Sequence, residues 1–255
     1  MAVDVGAGPP IVLDLGTGLR PLGDALAATP ALGDGPLEIT SLLTHLHWDH
    51  LIGLPFFVPA HREGGTMTVY GPRQEGPSLP EMVQNMVRPP FFPVQVDDIP
   101  GCIDFVEVDD DDLAIGPAKV RVRRIPHVGT NLGFRIEVDG VSVAYLSDHQ
   151  QSDDFSLARG ALELCDGADL VIHDSQYTDA EYAVKATWGH CTPDYAVHVA
   201  AESGAKTLAL FHHDPTHADD QVDAMLERAQ GLSNAGRLGA VVAAKEGLTL
   251  DLGTS

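Results

Sequence analysis

The chain has no uninterrupted apolar stretch of the roughly 18 residues that a membrane-crossing helix needs, which argues against a membrane span. Its opening residues, MAVDVGAGPPIVLDLG, lack the basic and apolar regions of a secretory leader. Cysteine is scarce: Cys102, Cys165 and Cys191 are the three present, odd in number and scattered. They exclude a disulfide framework and fit free thiols in a reducing compartment, so a cytoplasmic location is expected. Positive charge is also short, with 15 Lys and Arg against 37 Asp and Glu, a formal charge of −22. Only Arg121, Arg123 and Arg124 cluster, and they alternate as one face of a strand. Non-specific nucleic-acid binding needs clustered cations to displace counterions, so a large polyanionic partner is not expected. The acidity reads first as a solubility feature.

What is present is a mixture of short strands and helices over 255 residues, 44% of them apolar. That is enough for one two-layered core, and a single domain over 1–255 is expected. Apolar or alternating runs place strands at 9–15, 37–44, 66–70, 119–124, 132–138, 141–146, 170–173 and 207–211. Asp139-Gly140 reads as a hairpin turn. Helical spacing marks 80–87, 155–164 and a helix around Val222–Ala229, while the prolines at 89, 90 and 93 enforce an irregular stretch. Thr192-Pro193 is a helix start, and Gly204 its stop. The tail, 240–244 with 248–252, reads as a closing hairpin. The class is α/β or α+β.

The most informative segment is Thr44-His45-Leu46-His47-Trp48-Asp49-His50. Neutral imidazole and carboxylate suit zinc, manganese or iron. His45 and His47, two apart on an extended segment, point the same way and can share a cation. Asp49 and His50 follow where the chain turns, placed to serve a second. Further donors sit at the ends of expected strands: His127, Asp148 with His149, His173 with Asp174, and His212 with His213. Strand ends on one edge of a sheet converge, so distant segments can build one site.

With these residues in hand, the sequence resembles the metallo-β-lactamase superfamily. The detail is most similar to its phosphodiesterase branch of tRNase Z and cyclic phosphodiesterases. The stretches that carry the resemblance are IVLDLGTG (11–18), LLTHLHWDHLIGLP (42–55), PHVGTNLGFRIE (126–137), VAYLSDH (143–149), DLVIHDSQY (169–177), GHCTPDYAVHVA (189–200) and LALFHHDP (208–215). The resemblance implies a four-layer αββα sandwich with a site at one edge. It implies two divalent cations, zinc first, with manganese or iron as substitutes. His45, His47 and His127 would bind the first and Asp49, His50 and His212 the second, with Asp148 bridging both. His213 is the rival for the last position. His190 matches the branch's histidine near the substrate phosphate, and Asp174 would orient it or a ligand. Asp49, Asp148 and His190 are the expected catalytic side chains, and a hydroxide shared by the cations the expected nucleophile.

The resemblance also shows departures. Members usually begin with a further strand and a glycine-rich turn before the equivalent of Val3–Val5, so the first sheet is expected to lack a strand. The long tRNA-gripping arm of tRNase Z has no counterpart. Residues 58–102, with Phe91 and Phe92, read either as a cover over the pocket or as a surface excursion with its own apolar cluster. The expected substrate is a small anion, most simply a cyclic phosphodiester, since a cation pair would reverse the local field of this acidic chain. A lactone, thioester or other ester is the second enzymatic reading, and a metal-bound sensor with little catalysis the third. A homodimer is compatible with the sequence.

Overall fold

The computed structural model describes residues 1–6, 8–29 and 35–253. The chain divides into two compact units, Met1–Asp109 and Asp110–Ser255, and each holds one sheet.

In the first unit the sheet runs β1 (Ala2–Val3), β2 (Ile11–Leu13), β3 (Glu38–Leu42), β4 (Thr66–Pro72) and β5 (Cys102–Val108). The two-residue β1 pairs antiparallel with β2, and the other three pairings are parallel. Parallel strands need crossovers, and two of these hold helices, α1 (Leu19–Ala27) and α2 (Leu79–Met86). α2 starts at Ser78 with a capping box completed by Glu81. Its Leu79 and Val83 are fully buried beside Met67 and Val69 of β4. Much of 58–102 is therefore structural. Phe92 packs edge-on against Phe56 with ring centroids 5.7 Å apart, while Phe91 is 74% exposed.

The second unit begins with an antiparallel meander: β6 (Asp112–Ile115), β7 (Ala118–Arg124), β8 (Leu132–Val138) and β9 (Val141–Leu146). From β9 the sheet continues in parallel through β10 (Leu170–Asp174), β11 (Thr207–Phe211) and β12 (Ala240–Ala243). The hairpin at Asp139-Gly140 forms as expected, with both residues at positive φ (52° and 83°), the geometry a two-residue turn requires. Four helices complete the unit: α3 (Arg159–Cys165), α4 (Asp179–Lys185), α5 (Pro193–Glu202) and α6 (Asp219–Gln230). α5 enters through Thr192, whose hydroxyl accepts from the Tyr195 amide. Leu164, Val199 and Ala200 bury against Val171 and Leu208 of the sheet.

Two expected elements differ. The helix placed at 155–164 starts at Arg159, because Phe155 sits at φ +62°, outside any right-handed helix. The closing hairpin does not form. β12 spends its ladder bonds on β11, and residues 245–249 are exposed, so no buried face holds 248–252 in a strand.

The sheet of the second unit fixes where its functional side chains emerge. β7 and β9 run the same way because each is antiparallel to β8, and β10 and β11 are parallel to β9. The register sets Leu146 opposite His173, and Asp174 opposite Phe211. His127, Asp148, Asp174 and His212 thus lie at or just beyond the carboxyl ends of four co-directional strands, the edge where open sheets with parallel strands place ligands. The first unit repeats the device: Leu13 pairs with Leu42, so Asp14 and the His45 segment leave the same edge.

Candidate functional site

In the first unit the chain leaves β3 and makes a single 3-10 turn, Trp48–His50. His45 is buried and His47 exposed, with ring centroids 4.5 Å apart. The His50 ring is 4.2 Å from that of His45, and the Asp49 carboxylate lies 3.2 Å from His50 Nε2. The organiser is Asp14, buried at φ +58°. Its Oδ1 accepts from the Thr44 amide at 2.7 Å and the Thr44 hydroxyl at 2.9 Å, and its Oδ2 accepts from His50 Nδ1 at 2.9 Å. Burial disfavours the Asp14 carboxylate, but the adjacent His50 and these hydrogen bonds outweigh it and hold the carboxyl below its usual range. The Thr44 hydroxyl, having donated to Asp14, accepts from His45 Nδ1 at 3.0 Å. Two glycines close the turn: a methyl on Gly53 would overlap the Gly16 carbonyl, and one on Gly16 the Asp49 carbonyl.

In the second unit Asp148 is the centre, 1% exposed and at φ +55°. Backbone strain of this kind persists only where surroundings over-determine it. Here the Asn131 amide donates to the carbonyls of Ser147 and Asp148 (3.0 and 2.9 Å), and the Ser147 hydroxyl donates to Asp148 Oδ1 at 2.7 Å. Around this carboxylate stand His212 Nε2 at 3.2 Å, His190 Nδ1 at 3.9 Å and His127 Nε2 at 4.0 Å. Four side chains of the unit, Asp148, Asp174, His190 and His212, offer donor atoms within 4.8 Å of one another. Donors held about 2.0–2.1 Å from a tetrahedral cation are about 3.3 Å apart, so the His212–Asp148 separation suits a shared ion.

The tautomers suit it too. His127 Nδ1 donates to the Gly189 carbonyl at 2.8 Å, and His212 Nδ1 to Gln176 Oε1 at 2.7 Å. His45 and His50 commit Nδ1 to Thr44 and Asp14. In each ring the proton assigned by this network sits on Nδ1, so Nε2 is the nitrogen that could ligate a cation, the outer-shell arrangement typical of ligating histidines. The donor set of imidazole nitrogen and carboxylate oxygen therefore fits divalent zinc, manganese or iron.

His190 and Asp174 form a separate pair. His190 Nδ1 donates to Asp174 Oδ2 at 2.7 Å, while Asp174 Oδ1 accepts from the amides of Gln176 and Cys191, both at 3.1 Å. The buried Cys191 thiol donates to the Asp174 carbonyl at 3.0 Å. Burial, and then the adjacent Asp174, push its pKa well up, so it stays a thiol. His149 and His173 do not join the cluster: both are fully buried, His149 Nδ1 lying 2.8 Å from His173 Nε2. Of the rival pair after β11, His212 faces Asp148, while His213 has both ring nitrogens buried without a hydrogen bond.

Sequence reasoning gave no role to Asp14, Asn131, Gln176 or Gly189. Their one available signal was position, each lying within or beside a stretch that carries a ligand.

Comparison with known proteins agrees with this architecture. A family model described as a beta-lactamase superfamily domain matches residues 11–213. A curated ribonuclease Z of Synechococcus sp. (strain WH7803) is 25% identical over 263 residues, spanning 82% of this chain and 78% of the relative. Among solved structures, the metallo-beta-lactamase fold protein YhfI from Bacillus subtilis superposes with a TM-score of 0.65 at 21% identity, covering 94% of this chain and 86% of the other. A diphosphatase from the PhnP family gives 0.64 at 18% identity, covering 95% and 79%. The family match spans both the histidine turn after β3 and the strand ends of the second unit, and on that footing the chain belongs to the beta-lactamase superfamily and has the metallo-β-lactamase fold.

Proposed function

We propose that this protein is a metal-dependent hydrolase of a small phosphodiester, most simply a cyclic one. His45, His47 and His127 would hold one divalent cation and Asp49, His50 and His212 a second, with Asp148 serving both and zinc the first choice. The observation that carries the reading is the pre-set protonation of the histidines. Four ring Nδ1 atoms are committed to fixed acceptors, a cost in order that a merely structural cluster has no need to meet. The chemistry such a pair would supply is an acidified water near neutral pH and neutralisation of charge on the phosphoryl oxygens.

The remaining steps fall to the chain's own groups. Asp174 holds the His190 ring by Nδ1, so Nε2 is the atom that carries a proton to the leaving oxygen. Asp174 is kept still by two backbone amides, which limits His190 to one orientation. The shared position is a carboxylate, and Cys191 is tied up as a donor, which favours phosphoester over β-lactam or thioester chemistry. A relative named ribonuclease Z supports phosphodiester chemistry, and a structural neighbour named a diphosphatase is compatible with attack at phosphorus. The charge of −22 favours a small substrate over a polymer. Three free cysteines, two of them buried, fit a reducing compartment such as the cytoplasm.

The test is metal analysis of purified protein together with a substrate panel of cyclic nucleotides, chromogenic phosphodiesters and lactones, with zinc or manganese added. Two equivalents of metal and turnover of a phosphodiester are expected. One equivalent overturns the pair, and turnover confined to lactones overturns the bond assignment. Asp148→Asn, chosen because asparagine tolerates positive φ, should fold and lose metal and activity together.

A further inference from the structure

We propose that Lys185 is a positioning residue for His212: through Asp214 it clamps the loop that carries this histidine to helix α4. The proposal rests on the hydrolase reading above, because it concerns the cation assigned to His212. The loop begins where β11 ends, at Phe211. His212, the next residue, sits at φ +57°, a left-handed conformation that a residue other than glycine keeps only where its surroundings impose it. Its ring is held from one side by Gln176. The backbone needs an anchor on the far side of the turn, and the buried Asp214 provides it.

Asp214 Oδ1 accepts from the Thr216 amide at 2.9 Å and the Thr216 hydroxyl at 2.7 Å, while the His217 amide donates to the Asp214 carbonyl at 2.9 Å. These bonds shape the loop from within and tie it to nothing else. Asp214 Oδ2 lies 3.2 Å from Lys185 Nζ, and this ion pair joins the loop to α4. A second contact runs parallel to it, with Glu181 Oε1 2.9 Å from His217 Nε2. Glu181 and Lys185 are four apart on one face of the helix, so they meet the same loop at 217 and 214.

A surface helix is ordinarily held by an apolar stripe, but α4 buries no residue. Its attachments are polar: the two contacts to the loop, and the Tyr182 hydroxyl, which donates to the Gln151 carbonyl at 3.1 Å. Lys185 also reaches the other side of the site. Its Nζ lies 4.7 Å from the centroid of the Tyr177 ring and 5.7 Å from that of Trp188, within reach of a cation–π attraction. Tyr177 is buried and set edge-on to His190 at 5.5 Å, and His190 stacks on His212 at 5.2 Å with the ring planes 13° apart. One ammonium group therefore braces both the loop after His212 and the ring behind His190. Ion pairs near the surface add little to stability, so the effect of this one falls on the placement of His212.

The experiment is a cobalt(II) absorption titration of metal-free protein. Lys185→Met keeps an apolar stem over Tyr177 and removes the charge. It should bind one equivalent with wild-type affinity and the other about tenfold more weakly, the low end of the loss for outer-shell partners. Lys185→Arg keeps the charge and stacks on aromatic faces, so it should match the wild type. Asp214→Asn, which retains an acceptor for Thr216, should reproduce Lys185→Met. The double variant should bind no more weakly than either single one, because both remove the same contact. In metal-free protein, long-range proton–nitrogen NMR should show the His212 ring as one Nδ1–H tautomer in the wild type and as a mixture of tautomers in Lys185→Met. Wild-type affinity for both equivalents in Lys185→Met overturns the proposal, as does equal weakening of both, an additive loss in the double variant, failure of arginine to restore binding, or an unchanged His212 tautomer. Those outcomes refute the clamp and leave the hydrolase reading standing. A single equivalent of cobalt in the wild type refutes that reading and the clamp with it.

Discussion

Gly189→Ala is the sharpest single perturbation, because it moves a candidate ligand without touching it chemically. Gly189 has φ +96°, and a methyl carbon built there would overlap Nδ1 and Cε1 of His127. The Gly189 carbonyl is also the acceptor that fixes the proton on that ring. Forcing alanine to positive φ costs about 1–2 kcal/mol, and a disturbed hydrogen bond adds about 1 kcal/mol. The metal-free protein should therefore lose about 2–3 kcal/mol, which for a chain of this size lowers Tm by about 4–12 °C. The displaced ring no longer presents Nε2 squarely, and losses of outer-shell support of this kind weaken metal binding about 10–100-fold. Thermal unfolding of chelator-treated protein by circular dichroism reads the first effect. Zinc titration against a chromophoric competitor reads the second. An alanine variant with wild-type Tm and wild-type zinc affinity would show that neither the close approach nor the Gly189 carbonyl matters.

Other expectations follow from the same contacts. Gln176→Leu removes the acceptor for His212 Nδ1 and should weaken the second cation about 10–100-fold, seen in cobalt(II) absorption titrations; an unchanged titration counts against the tautomer argument. Gly53→Ala places a methyl on the Gly16 carbonyl and should destabilise the first unit by more than the ~1 kcal/mol of an ordinary surface change, measured by urea unfolding, with a shift below that arguing against the close-packed turn. His149 and His173 are held neutral by burial, and His149 further by its proximity to His173. Unfolding exposes both to protonation near pH 6.5, so their contribution to stability is complete above that pH. It declines as pH falls towards the lowered native values, by up to about 1.4 kcal/mol per pH unit for each. Urea unfolding of metal-free protein at pH 7 and pH 5.5 should show the loss, and a smaller one in His149→Leu; equal stability at both pH values would contradict it.

Much of this architecture can be read from the sequence where one physical signal dominates. β8 and β9 fall on the expected residues because their alternation is interrupted by Asp139-Gly140, a turn that admits one register. The donors at 45–50 stand out because imidazoles crowd a segment with apolar flanks, and the later ones because each ends an apolar run. β5 escaped because it carries Asp104 and Glu107 and alternates between exposed and half-buried positions, so charge masks its period. α4 buries no residue at all and offers no apolar stripe; its one trace was the capping box of Thr178 and Glu181. Asn131, Gln176 and Asp14 act through hydrogen bonds to partners 30 or more positions away or across a strand pair, and no local pattern encodes such a partnership.

The carboxyl-end placement of the donors separates what this protein can change from what it must keep. Asp174 pairs with Phe211 in the backbone ladder of the second sheet, and His127, Asp148 and His212 follow within three residues of strands that the same ladder fixes. Residues 150–158 connect β9 to α3 outside that ladder, tied at their start by the Gln150 and Gln151 amides to the carbonyls of Pro126 and His190. Beyond those two bonds the segment can lengthen, shrink or exchange side chains while the strand ends keep their register, so the surroundings of the donors can vary without a change in the sheet beneath them.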